Sequence, residues 1–184
     1  IIPGTNNIII PKNTLLTENL TIMGDSDLVA SNIKDGVTIF NVTGILKEKQ
    51  LEDYTWSEIN DIVSQGLQES MFNLHDTKTF TVGGETLVAE IADFNHDDKT
   101  DGSGKAGISF ILKNSMNTTH NMNSTDTNVN GWSGSAMYSY LNTDIYNQLP
   151  SDLQSVIKPV NKITSAGNQS TTLQTSSDKL WLMS

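Results

Sequence analysis

Thr77-Lys78-Thr79-Phe80-Thr81-Val82, then Gly83-Gly84, then Glu85-Thr86-Leu87-Val88-Ala89-Glu90-Ile91 is the stretch that decides the fold. Apolar and polar residues alternate on both sides of a two-glycine step, and glycine supplies the positive φ that a two-residue hairpin turn demands. The stretch therefore predicts an antiparallel hairpin. A polar loop, His96 to Lys105, follows, and Ile108-Ser109-Phe110-Ile111-Leu112-Lys113 resumes as a strand, which predicts a three-stranded antiparallel sheet.

Upstream, Thr55-Trp56-Ser57-Glu58 has capping-box spacing. Trp56, Ile59, Ile62, Val63 and Leu67 then recur at helical spacing until Gly66 interrupts, so a helix opens this domain with Trp56 as its core anchor. Downstream, an Asn/Thr/Ser-rich stretch from Asn114 to Asn130 precedes Trp132, Met137, Tyr138, Leu141 and Ile145, again at roughly helical spacing. Leu149-Pro150-Ser151-Asp152-Leu153 restarts a second short helix. Val156, Ile157 and Val160 are expected to bury against the sheet. The tail reads as a strand from Lys162, a polar loop over Ser165 to Ser177, and an apolar strand-like run from Lys179.

The first 44 residues read differently. Ile8-Ile9-Ile10, a Pro11-Lys12-Asn13 turn signal, Leu15-Leu16 and Leu20-Thr21-Ile22-Met23 suggest two or three short strands. Leu28, Val29 and Ile33 behind Asp25 or Ser26 suggest a short helix ending at Gly36. Val37-Thr38-Ile39-Phe40-Asn41-Val42-Thr43-Gly44 is dense in β-branched and aromatic residues and is expected as one strand. The expected fold class is thus α+β. It comprises a strand-helix-strand attachment or oligomerisation module over 1–44, a charged connector with helical character over 45–54, and an α+β recognition domain over 55–184. The small module is too short to be robust alone.

Composition excludes several functions. Eleven basic residues, all lysine, stand against 21 carboxylates, giving a net charge of −10. A phosphate backbone would meet repulsion, so nucleic acid is not expected as a partner. The lack of arginine beside plentiful Lys and Asn fits the codon usage of an AT-rich genome. With no cysteine, disulfides and thiolate chemistry are excluded, and stability must come from packing or from assembly with other chains. No run approaches the roughly 18 apolar residues that span a bilayer. Ile1-Ile2-Pro3-Gly4 lacks the basic and hydrophobic regions of a signal peptide, so a soluble chain without membrane insertion is expected. The missing Met and the closing run Leu180-Trp181-Leu182-Met183-Ser184 suggest a segment of a longer polypeptide.

Candidate chemistry is sparse. His96, Asp97, Asp98 and Asp101 could offer oxygen ligands to a divalent cation, but a lysine stands at a ligand position, and a solvated loop is favoured. His75-Asp76 could act as an acid-base pair and His120 could join a hydroxyl-rich segment, yet no nucleophile motif accompanies them. None of the acidic residues sits in an evident cleft motif of the kind a glycosidase needs. No catalytic, cofactor or metal residues are therefore assigned. Trp132, Tyr138, Tyr140 and Trp181 are the candidate carbohydrate contacts, since a flat aromatic face can stack on a sugar ring. Core packing is the competing role for these four. The amides of Asn117 to Asn130 could bind carbohydrate or satisfy their own loop.

Gly24 to Gly44, with Pro3-Gly4-Thr5-Asn6-Asn7, resembles a short module of tail proteins from phages and prophages of low-GC Gram-positive bacteria. Asp76-Thr77-Lys78-Thr79, Phe94 to Asp98, Met122-Asn123-Ser124-Thr125, Gly131-Trp132, Leu149 to Leu153, Val156 to Val160 and Asp178 to Leu182 resemble a domain family of unassigned function. That family occurs in phage tail proteins and bacterial surface proteins. The second resemblance implies a C-type-lectin-like or sulfatase-modifying-factor-like core that continues beyond Leu182. Together the two imply a virion protein, extracellular when mature: a tail, fibre or baseplate component that presents a receptor-binding domain. The expected partners are further copies of the chain, with a trimer favoured, other virion proteins, and host-surface carbohydrate or protein. A capsid head fibre or decoration protein, a polysaccharide depolymerase and a bacterial surface adhesin are the alternatives.

Overall fold

The computed structural model describes residues 4–11 and 18–182. The chain divides into two compact units, Ile1–Lys49 and Gln50–Ser184, and its fold class is α+β, with small antiparallel sheets and few helices. The expected turn at Lys12-Asn13, the Leu15-Leu16 strand and the end of the run at Met183-Ser184 lie outside the described residues.

In the first unit, β1 (Ile8–Ile10) pairs antiparallel with β2 (Leu20–Ile22), Ile8 opposite Ile22 and Ile10 opposite Leu20. The helix expected around Leu28 to Ile33 is only a 3-10 turn, Ala30–Asn32. Its N-cap, Val29, has no side-chain acceptor to offer, and the Asp25 carboxylate is spent on the amide of Asp27 two residues on. The single strand expected over 37–44 folds back on itself as β3 (Thr38–Ile39) and β4 (Val42–Thr43). Phe40 and Asn41 make the turn with φ of 47° and 67°. Asn tolerates this left-handed region, but a β-branched run with Phe at the turn conceals the reversal. The expected strand-helix-strand module is thus two short hairpins and a 3-10 turn.

Backbone contacts specify this unit more than packing does. The amides of Ile45 and Leu46 donate to Ala30 and Ile33 carbonyls at 2.9 Å each. A Cβ on Gly44 would lie 2.2 Å from the Lys34 oxygen, and one on Gly24 2.5 Å from the Asn6 carbonyl carbon. Among the described residues of the unit, Ile33 alone is a buried apolar side chain.

The second unit opens with a 3-10 turn at Leu51–Asp53, closed by reciprocal Gln50–Asp53 hydrogen bonds. It places Leu51 in the core at 1% exposure; this turn is the only helical element in the stretch expected as a connector. Next, α1 (Trp56–Ser64) carries the predicted capping box. The Glu58 amide donates to Thr55 Oγ1 at 3.2 Å and the Thr55 amide to Glu58 Oε2 at 2.7 Å. Trp56 and Ile59 are buried. Gly66, at φ +72°, redirects the chain, so Leu67 is exposed and Gln68, the first residue of α2 (Gln68–Met71), turns inward instead.

The hairpin forms as predicted. β5 (Thr77–Val82) pairs with β6 (Glu85–Phe94), Val82 opposite Glu85, and Gly83 and Gly84 take φ of 57° and 86°. β7 (Ile108–Leu112) adds to the other edge of β6, giving the order β5-β6-β7. Val82, Leu87, Ala89 and Ile91 belong to the core with half-buried Phe80 packed against it, and the Trp56 ring meets Phe80 and Phe110 edge-on at 5.9 and 5.5 Å. Lys78 shares the inward face at 8% exposure, its ammonium donating to the Glu52 carbonyl and lying 5.4 Å from the Trp56 ring centre.

A helical stretch follows: α3 (Ala136–Ser139), a π-helical segment over Tyr140–Ile145 and a 3-10 turn over Tyr146–Gln148. Then α4 (Ser151–Val156) starts behind Pro150. Ile145, Leu149 and Leu153 close the core over Leu51, Trp56 and Ile59. The tail departs from expectation. β8 (Val160–Ser165) pairs with β9 (Leu173–Asp178), which lies inside the expected polar loop, while the apolar residues from Lys179 to Leu182 form no strand. β9 escapes apolar patterning because its buried positions are polar, Ser176 and Asp178. A separate three-stranded sheet and a two-stranded sheet do not identify a lectin-like core.

Candidate functional site

Three of the four candidate aromatics converge on the end of β9. The Trp132 indole donates to Asp178 Oδ2 at 2.6 Å, and the Tyr138 hydroxyl donates to the Ser177 carbonyl at 3.2 Å. The two rings meet edge to face at 5.6 Å. Trp181 follows just beyond, with the Lys162 ammonium of β8 4.2 Å from its ring centre. Tyr140 is engaged elsewhere, stacked on His120 at 3.9 Å and packed against the core. All four rings are half-buried, and each spends part of its surface on an intramolecular contact. Burial and the charge of Asp178 raise the pKa of the Tyr138 hydroxyl, so it remains a neutral donor.

Asn142 fastens this seam. Sequence reasoning missed it because a mid-helix asparagine usually faces solvent. In the π-helical segment its Nδ2 donates to the carbonyls of Tyr138 and Leu180, at 3.1 and 2.9 Å. Its Oδ1 accepts from the amides of Lys179 and Leu180 at 3.0 and 3.1 Å. One side chain therefore does for residues 179–180 what a neighbouring strand would. Asn142→Ala should lower stability by about 2 to 3 kcal/mol, since several part-buried backbone groups lose their partner at once. Urea unfolding of the full chain measures this, and a change under 0.5 kcal/mol would show that water replaces the amide.

Asp97 is a second polar centre. Expected in a solvated loop, it is only 6% exposed. It accepts from Lys162 Nζ at 2.8 Å and from Ser109 Oγ at 2.5 Å, with His96 Nδ1 at 3.2 Å. Burial by itself would raise the Asp97 pKa. The Lys162 and Ser109 hydrogen bonds, the Lys162 charge and the His96 contact outweigh it and hold the carboxyl below its ordinary range. A carboxyl depressed in the folded state adds stability above its unfolded pKa of about 3.9 and loses it as pH falls through the folded value. The urea midpoint should therefore be flat from pH 7 to 5 in this respect and drop below about pH 4, with a shallower drop in Asp97→Asn. Equal slopes in the two proteins would assign the acid limb to other carboxylates.

The remaining candidates do not assemble into a reactive centre. Asp98 pairs with Lys105 at 3.0 Å and Asp101 accepts from Ser103, so the loop's carboxylates are spent separately. Among the described residues no group of three or more His, Cys, Asp or Glu could hold a metal. His75 contacts Glu90 at 2.8 Å, whereas Asp76 accepts from the Asn73 amide, so the two do not act as the pair their adjacency suggested. The amides of Asn114, Asn123 and Asn128 serve the chain's own backbone, bonding to Val88, Ala136 and Asn168. Two shallow depressions of about 230 and 390 Å³ lie near Leu51 and Tyr54, and neither is lined by the four candidate aromatics. Among the described residues, no helix is long and apolar enough to cross a membrane.

The aromatic seam, Asn142 and β7 to β9 all fall in one continuous half of the chain. Residues 106–184 match a family model, the domain of unknown function DUF6273. No curated protein and no solved structure matches the chain. The matched segment is not a packing unit by itself, because Leu51, Trp56, Ile59, Phe72, Val82, Leu87, Ala89 and Ile91 of the shared core precede it.

Proposed function

We propose that the chain is a structural component of a bacteriophage or prophage-like particle. In this reading it sits in the tail, a fibre or the baseplate, and the Gln50–Ser184 unit faces the host surface. The observation that carries the reading is the contrast between the two units. One is well cored; the other leaves most of its described apolar side chains exposed, as an attachment segment completed by assembly would. The resemblance of residues 3–44 to a tail-protein module supports it, as does that of the second unit to a family of unassigned function that occurs in phage tail proteins and bacterial surface proteins. So does the spending of the polar groups at the candidate site on internal hydrogen bonds, which suits a rigid presenting domain. Trp132, Tyr138 and Trp181 mark the part of that domain where carbohydrate contact would be sought first.

Immunogold electron microscopy of intact particles, with antibody against the second unit, tests this. Label at threefold or sixfold positions on the tail is the expected result. Label on the capsid would replace the tail assignment by a decoration or head-fibre role. Label on the bacterial surface with none on particles would overturn the virion reading in favour of an adhesin.

A further inference from the structure

The register of the first hairpin gathers four large apolar side chains on one face. Antiparallel partners point to the same side of a sheet, so Ile8 with Ile22 and Ile10 with Leu20 form a continuous aliphatic face. Leu20 is 47% and Ile22 39% exposed. Nearby in the chain, Met23, Val37, Ile39, Phe40, Ile45 and Leu46 are 42–75% exposed. The apolar area these residues offer is on the order of 800 Å², which matches one partner's share of a standard interface. A single copy leaves this area uncovered, and with one buried apolar side chain among its described residues the unit falls short of the core that a domain of this size needs.

Charge identifies what covers it. Residues 1–49 hold four lysines and five carboxylates, a net −1, whereas residues 50–184 hold seven lysines and sixteen carboxylates, a net −9. Copies of the first unit can approach one another with little repulsion, while copies of the second repel. None of the four residues on the hairpin face carries a charge. We infer that residues 1–49 self-associate, the Ile8, Ile10, Leu20 and Ile22 face of one copy packing on that of another. This rests on the proposed function only in requiring that copies assemble; it does not depend on where they assemble.

Light scattering on the full chain at about 50 μM tests the inference, comparing the wild type with Leu20→Lys/Ile22→Lys and with Thr21→Lys on the opposite face. The wild type and Thr21→Lys should be the same dimer or trimer. The double variant should be a monomer whose second unit keeps the wild-type near-ultraviolet spectrum from Trp56, Trp132 and Trp181. A monomeric wild type overturns the inference, and so does a double variant that remains oligomeric. An oligomer dissolved by the double variant but absent from particles supports this interface and sinks only the virion reading.

Discussion

Trp56→Ala should destabilise the second unit by about 4 kcal/mol, the cost of emptying a large aromatic site that its neighbours cannot fill by collapse. The ring is 5% exposed, stands edge-on to both Phe80 and Phe110, and carries the Lys78 ammonium near its face. Its removal leaves a cavity between α1 and the sheet and strips the ring from under a buried cation. Chemical denaturation followed by far-ultraviolet circular dichroism would show the midpoint shift. A loss below about 1.5 kcal/mol would mean that α1 closes over the space, and that Trp56 is not the anchor.

Lys162→Met should cost about 3 kcal/mol at pH 7, because it keeps the aliphatic stem while leaving the buried Asp97 carboxylate without its cation. The sign of its pH dependence separates this cause from lost packing. In the variant the Lys162 hydrogen bond and charge that lower the Asp97 pKa are gone, so that pKa is higher than in the wild type, and acidification protonates the group earlier and relieves the penalty. The wild type, with its depressed carboxyl, gains nothing from pH 7 to 5. The gap between the two proteins should therefore narrow toward pH 5, and Lys162→Met/Asp97→Asn should recover most of the loss. A gap that stays constant with pH would assign the effect to the Lys162 contact with Trp181 instead.

The sequence was most readable where local rules and tertiary packing agree. Gly83-Gly84 can make only a tight turn, and Thr55 with Glu58 satisfies helix-end donors whatever lies nearby, so the hairpin and α1 follow directly. The first unit misled because its apolar residues have little core to face, and periodicity is informative only when one side of an element is buried. β9 was hidden for the opposite reason: its buried face is built from Ser176 and Asp178, so burial left no apolar trace. At the candidate site, the clustering of Trp132, Tyr138 and Trp181 depends on β9 and on Asn142, neither visible in spacing. Asp97 looked like a loop carboxylate because its partners, Ser109 and Lys162, lie 12 and 65 residues away.

Gly24 and Gly44 also bear on how this protein can change over time. In most small folds the interior resists substitution and the exterior drifts. The described residues of the segment 1–49 invert that pattern within a single copy, since most of their large apolar side chains are exposed while two glycines admit no side chain without a collision with backbone atoms. Aliphatic identity there can wander as long as it stays mutually compatible, while the two glycines cannot. A distant descendant of this segment would be recognised by a pair of glycines twenty positions apart, long after its hydrophobic pattern had ceased to resemble this one.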